Sequence, residues 1–413
     1  MYNGPIAKVK CYNVSMQPGF LFGAGTSAHQ VEGNNVHNDW WAWERSRNDI
    51  DHSGLAADHY RRYREDLQLA KELGHNAHRI SLEWSRIEPD PGKFELKAIA
   101  HYRDVLLEMK RLGMTSFVTL HHFTNPLWLA ERGGWEKRST VEHFGRYVTA
   151  VAHHLGDLVD FWVTINEPMV YATEAYVHRR WPPQKKSWVA MWRVMRHMAA
   201  AHRRAYRIIH MIIPQARVGI AKHTIAFLPA KRQLDDTVIA QAQDTWFNHY
   251  FLSLTRSAHD FLGVNFYFTS QKTVNIFPPK IENMQWDGPQ SDIGWPVRPE
   301  GLKHVLLHAR RYGVPIYVTE NGLADARDAL RADFIRGHLR AIEDAQAEGA
   351  DVRGYLHWSL LDNFEWDMGF GPRFGLVEVD YETQERRPRA SAYVYKSIIE
   401  RAQASVGGNG SYQ

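Results

Sequence analysis

Eight short apolar runs alternate with longer amphipathic ones along this chain, and that alternation constrains its fold more than any other feature. Phe20–Ala24, Ala77–Ser81, Ser116–His121, Phe161–Ile165, Arg217–Ala221, Phe261–Asn265, Pro315–Thr319 and Gly354–Ser359 read as strands. Between them lie segments such as HYRRYREDLQLAKELG, ELKAIAHYRDVLLEMKRLG and RADFIRGHLRAIEDAQAEGA, with apolar residues every three or four positions. That spacing makes one face of a helix. Strands separated by helices form parallel sheets. Eight such units in 413 residues, with no Pro/Ser-rich linker between them, favour a closed (β/α)8 TIM barrel over an open doubly wound sheet. No glycine-rich phosphate loop follows a strand, which weighs against a nucleotide-binding sheet. We expect a single domain over residues 1–413, with a short disordered tail from about residue 404.

Bulk properties narrow the function classes. The net charge is +4, and Lys and Arg are interspersed with acids, so nothing points to nucleic acid. Cys11 is the single cysteine, so no intramolecular disulfide is expected. The N-terminus has no apolar region of signal-peptide length, and no run of roughly eighteen apolar residues occurs, so neither export nor a membrane is expected. The expected location is cytoplasmic. No Cys/His or carboxylate cluster has metal-site spacing, and neither metal nor cofactor is expected. Aromatic residues reach 12%, and many Trp lie beside polar residues. Aromatic faces edged by carboxylates and amides suit the flat C–H faces of sugars, although core packing explains the same composition.

The ends of the strands carry the chemistry. GTSAHQVEGN follows the first, HRISLEWSR spans the second, LHHFTNP ends the third and TINEP the fourth. VNFY ends the sixth, VTENG the seventh and HWSLLDNFEW the eighth. A barrel enzyme's site lies at the C-terminal ends of its strands, so seven strands aim polar groups at one mouth. Asn-Glu-Pro alone is often a helix start; seven polar ends at one depth are hard to explain by capping. Cleaving an acetal needs a proton donor and a second carboxylate. Glu167 and Glu320 end strands four and seven, with Asn166 before the one and Asn321 after the other. One must hold a proton while the other stays ionised. Arg79, ending strand two, is placed to hold Glu320 as an anion, and Tyr267 to donate to the same carboxylate. A structural salt bridge is the competing reading for Arg79.

In this order the motifs resemble glycoside hydrolase family 1, the β-glucosidase and β-galactosidase family, over about Gly19 to Ile399. FLFGAGTSAHQVEG is similar to its N-terminal signature, TINEP to its acid/base motif and YVTENG to its nucleophile motif. HWSLLDNFEW followed by RFGLVEVD is similar to its sugar-binding stretch. The resemblance implies Glu167 as general acid/base and Glu320 as nucleophile of a retaining β-glycosidase, with the two carboxyls roughly 5–5.5 Å apart. It also implies that Gln30, His122, Asn166, Glu365 and Trp366 hold the glycone hydroxyls over a Trp358 floor, with Asn166 at the 2-OH. His121 reads as structural. Members acting on 6-phosphorylated sugars usually carry Ser at the position of Glu365 and a nearby Lys. A carboxylate there and no Lys in DNFEWDMGFGPRFG point to unphosphorylated β-glucosides, with β-galactosides or β-fucosides also compatible. Glu167 argues against the thioglucosidase branch, where Gln stands.

Several departures leave alternatives open. QDTWFNHYFLSLTRSAHDFLGVNFY runs almost directly from a helix into strand six, where members insert a longer segment. The fifth helical layer is therefore expected to be incomplete. The flank it leaves would be covered by a second copy in a homo-oligomer, open as a ligand crevice, or mobile. Phe266 stands where many members have Tyr. The basic, Trp-rich YVHRRWPPQKKSW is read either as solvated surface or as part of the aglycone site. A glycan-binding pseudoenzyme and a transglycosylase using the same two glutamates are the rival functions.

Overall fold

The computed structural model describes residues 16–231, 233–275, 280–283 and 286–407. Cys11, the N-terminal stretch inspected for a leader, and residues 408–413 lie outside them. Eight parallel strands form the barrel: β1 (Leu21–Gly25), β2 (Ala77–Ser81), β3 (Thr115–Thr119), β4 (Phe161–Asn166), β5 (Arg217–Pro229), β6 (Phe261–Asn275), β8 (Ile316–Asn321) and β9 (Val352–Trp358). Neighbours run β5-β4-β3-β2-β1-β9-β8-β6, and β5 pairs with β6 to close the ring. A further strand, β7 (Lys280–Asn283), adds antiparallel to the outer part of β6.

The lower barrel is packed solid. Phe117, Phe161, Phe261, Tyr317 and Leu356 meet there, with Phe117 and Phe161 stacked at 4.3 Å and 5°. This apolar plug leaves the C-terminal ends of the strands to the polar residues. Outside, each helix buries one stripe. In Ser139–Leu155 the buried Val141, Phe144, Val148, Val151 and Leu155 follow three- and four-residue steps. In the C-terminal helix Ala390–Gly407, Tyr395 donates from its hydroxyl to the carbonyl of Gly23, 3.2 Å away, and accepts from the Gly23 amide at the same distance. Gly23 is required for close approach: a Cβ there would lie 2.0 Å from the carbonyl oxygen of Ala77. That helix runs to Gly407, past the expected start of the tail. Among the described residues no helix is long and apolar enough to cross a membrane.

Two expectations need correction. Strands five and six do not end at Ala221 and Asn265. Their pairing resumes beyond the polar crown, from Ala226↔Thr269 to Pro229↔Lys272. The cause is a second apolar alternation, which buries Ile225 and Phe227 against Ala240, Phe247 and Phe268. Nor is the fifth helical layer missing. Leu234–Gln243, a π-helical turn at Asp244–His249 and Tyr250–Thr255 fill it in three short pieces. The flank still exposes Leu234, Val238, Trp188 and Val189.

Candidate active site

Irregular register is what turns the key side chains inward. Pairing shifts between Val163 and Asn166 on β4, between Val264 and Asn265 on β6, and between Val318 and Asn321 on β8. Strict alternation would send consecutive residues to opposite faces. Here Asn166 and Glu167 both reach the pocket, and Asn265 Nδ2 lies 3.1 Å from Asn166 Oδ1 and 2.7 Å from Glu167 Oε1. Glu167 sits at φ 43°, in the left-handed region, with its amide donating to the Ala221 carbonyl at 2.8 Å. Pro168 then opens a short helix, Pro168–Thr173. The Asn-Glu-Pro run is thus a helix start and also a carboxylate mount. A left-handed non-glycine residue is sparsely populated backbone of the kind found at functional sites.

Arg79 ties the pocket together. It is almost fully buried, and its Nη1 pairs with Glu320 Oε1. Its Nη2 donates to Asn166 Oδ1 at 2.7 Å and its Nε to Thr119 Oγ1 at 3.0 Å. Tyr267 donates to Glu320 Oε2 at 2.7 Å. Thr319 Oγ1 donates to Asn265 Oδ1 at 2.7 Å, which leaves the Asn265 amide to face Asn166 and Glu167. A chain of contacts therefore runs Glu320–Arg79–Asn166–Asn265–Glu167. Gly322, following the Glu-Asn pair, allows β8 to press on β9: a Cβ would sit 1.8 Å from the Trp358 carbonyl oxygen.

The remaining predicted residues gather at the same mouth. Gln30 is fully buried; its Nε2 lies 3.0 Å from Asn363 Oδ1 and 3.2 Å from Glu365 Oε2. The His122 ring lies near-parallel to Trp358 at 6.0 Å and to Trp366 at 6.1 Å, and its Nε2 is 3.2 Å from Asn166 Nδ2. Burial pushes His122 well below its ordinary value, so it is a neutral imidazole. His122 Nδ1 is buried without a hydrogen-bond partner. His121, read as structural, is bonded to Asn125 and Trp135 beneath the site. Asn321 does not join the pocket: its amide donates to the Phe266 carbonyl and its Oδ1 accepts from Tyr355. Phe266 is buried, with its ring 6.0 Å from that of His338.

Burial and the charges around each carboxyl act differently on the two glutamates. Burial, and then the facing charge of Glu167, push Glu320 up to about 7 despite Arg79 and Tyr267. At Glu167 burial is outweighed by the nearby His223 ring, 3.4 Å away, together with Asn265 and Lys222, and the carboxyl is held below its ordinary value. The expectation names Arg79 alone; His223, on β5, is a second influence, placed beside Glu167. Glu365 is pushed up to about 8 by burial and by the charge of Glu320, against a hydrogen bond from Trp358.

His223, Asn265 and Thr319 went unrecognised in the sequence. The His223 ring lies 5.9 Å from that of Tyr267 and 5.7 Å from that of Phe247. Lys222, buried beneath it and lowered to about 7 by burial, donates to the His223 carbonyl. Their signal was present, since Lys-His directly follows the apolar run of strand five, the one strand whose end was not read as polar. Trp295 and Phe268, 5.2 Å apart, edge the pocket beside Tyr267 and were also unread. The basic loop is not simply solvated. Trp181 Nε1 donates to Asp367 at 2.8 Å, Arg180 pairs with the same carboxylate, and the Trp181 ring lies 5.8 Å from that of Trp366.

Glu167 and Glu320 are thus linked through Arg79, Asn166 and Asn265 beside the aromatic rings of Tyr267, Trp358 and Trp366. The sequence profile of Glycosyl hydrolase family 1 matches residues 12–257 and 252–404. The chain belongs to glycosyl hydrolase family 1. It is 32% identical to a β-galactosidase of Pyrococcus woesei, covering 92% of this chain and 96% of that one. That alignment runs over 489 positions against the 413 residues here, so that relative carries segments this chain lacks. It is 30% identical to β-glucosidase A of Thermotoga maritima over 94% of this chain and 98% of that one. Among solved structures, a β-glycosidase from Pyrococcus horikoshii superposes with a TM-score of 0.89 at 40% identity, covering 95% of this chain and 96% of that one. The family 1 protein described here is a glycoside hydrolase with a TIM-barrel fold, and its substrate is a small-molecule sugar.

Proposed function

We propose that this family 1 hydrolase is a retaining β-glycosidase acting on unphosphorylated β-glucosides, and on β-galactosides or β-fucosides. The observation that carries this reading is the pair of glutamates ending β4 and β8, joined through Arg79, Asn166 and Asn265. Glu320 attacks the anomeric carbon as the bond to the leaving oxygen breaks, and Glu167 gives that oxygen its proton. Water then loses a proton to Glu167, adds its oxygen to the anomeric carbon and frees Glu320. Arg79 and Tyr267 favour the anion that attacks. Glucosidase and galactosidase names among the relatives support the glycone class.

The phosphate question turns on cations, because a Glu365 raised to about 8 is protonated at neutral pH and repels little by itself. Near the glycone side Arg180 is paired with Asp367, and Arg373 lies 3.3 Å from Asp362. Neither is spare for a phosphate. A panel of nitrophenyl glycosides tests the specificity. Glu320→Gly should abolish turnover, and added azide should restore it in part with the α-glycosyl azide as product. No rescue, in a variant that still binds sugar, would refute Glu320 as nucleophile and favour a sugar-binding role.

A further inference from the structure

The segment between β5 and β6 carries a second cluster of chemistry-bearing side chains, away from the sugar pocket. Asp244 and His249 stand at the two ends of the π-helical turn Asp244–His249. His308 comes from the helix Pro299–Ala309 that precedes β8. Asp244 Oδ2 lies 3.1 Å from His249 Nε2 and 3.4 Å from His308 Nδ1, and all three atoms fall within 4.8 Å of one another. We propose that Asp244, His249 and His308 bind a divalent transition-metal cation of the Zn2+ class.

Three features carry this. The first is spacing. Ligands about 2.0–2.1 Å from a tetrahedral zinc stand roughly 3.3 Å from each other, so two edges of such a site are already set. The second is the support behind the ligands. His249 Nδ1 lies 2.7 Å from the Tyr312 hydroxyl, which can accept its proton and leave Nε2 free to coordinate. Asp244 Oδ1 accepts from Asn248 at 2.7 Å, and Asn248 is itself fixed to both backbone groups of Ile225 on β5. The third is that His308 Nδ1 is buried without a hydrogen-bond partner while facing this carboxylate. A buried polar atom without a partner carries a desolvation cost that coordination would remove. Two imidazoles and one carboxylate select a borderline metal over calcium or magnesium, which take oxygen ligands. Water, or His304 one helical turn before His308, completes the shell; the two imidazole centroids are 4.1 Å apart.

Such a cation would clip the broken fifth layer to the helix leading into β8. Between its two ligands the turn carries Phe247, whose ring packs on His223 beside Glu167. The clip would thus stiffen the wall behind the acid/base carboxylate without touching substrate.

The test is calorimetric titration of untagged, chelator-stripped protein with zinc chloride, with cobalt(II) absorption as a second readout. One Zn2+ per chain, tetrahedral cobalt bands and a raised melting temperature are expected. His308→Ala and Asp244→Asn should abolish all three. Tyr312→Phe should weaken binding about tenfold, as loss of a supporting hydrogen bond does. Absence of binding by the wild-type protein overturns the proposal. So does binding of unchanged stoichiometry and affinity in a folded His249→Ala, His308→Ala double variant, which would place the cation elsewhere among the chain's 23 histidines.

Discussion

Glu365 should weaken the fold as pH rises, and removing its charge should strengthen it. The carboxyl is moved from 4.5 to about 8, by burial first and the charge of Glu320 second. An acid whose folded pKa lies above its unfolded value costs nothing below the unfolded value, and costs more as pH climbs to the folded one. The interval is about 3.5 units at 1.36 kcal/mol each, or about 5 kcal/mol in all. Glu365→Gln keeps the size of the side chain and its contact with Gln30. Any fixed cost of the exchange is the same at every pH. Denaturant unfolding of both proteins from about pH 4 to about pH 9 should show the variant gaining on the wild type by about 1.4 kcal/mol per unit through this window. Activity should move the other way. Losing one neutral hydrogen bond costs about 0.5–1.5 kcal/mol, or roughly two- to tenfold in kcat/KM at neutral pH. A stability difference flat across the window would refute the reasoning, because it would mean that Glu365 is ordinarily solvated.

Tyr267→Phe keeps the buried ring and deletes the donor to Glu320 Oε2. That donor lowers the Glu320 pKa, so its loss raises it, and the acid limb of kcat/KM should move up by about 1–2 pH units; an unmoved limb counts against Glu320 as the ionised group. His223→Asn removes the ring that helps to hold Glu167 down. The Glu167 pKa then rises, and the basic limb of the pH–rate profile should shift upward while the acid limb stays. A shift in the acid limb instead would assign that titration to the wrong glutamate.

Much of this was legible because the barrel repeats. Period-two and period-3.6 patterns mark strands and helices locally, and eight repeats leave few topologies. Six strands fall within two residues of their expected bounds. The two that do not, β5 and β6, continue beyond polar residues that look like strand ends, and only pairing with each other keeps them extended. Glu167, Glu320, Arg79 and Tyr267 are legible because each lies in the polar stretch that closes an apolar run of the sequence. Asn265 also closes an apolar run, yet its contact with Glu167 depends on a register shift that no linear pattern encodes. His223 was passed over because its role depends on a distance across the barrel to β4.

Charge accounting inside the pocket favours one kind of ligand. Glu167, Glu320 and Glu365 converge there, with Arg79 paired to one and His223 beside another. Two of the three carboxyls are raised well above their ordinary values, which is how a buried acid cluster avoids carrying its full charge. A neutral, hydroxyl-rich ring fits this state. Its hydroxyls can donate to ionised carboxylates and accept from protonated ones, so it satisfies the polar groups whichever acid holds a proton. An anionic ligand would force those acids to stay protonated and would find Arg79 already committed to Glu320 and Asn166. The proposed preference for uncharged glycones therefore rests on how the protons are distributed as well as on the aromatic walls.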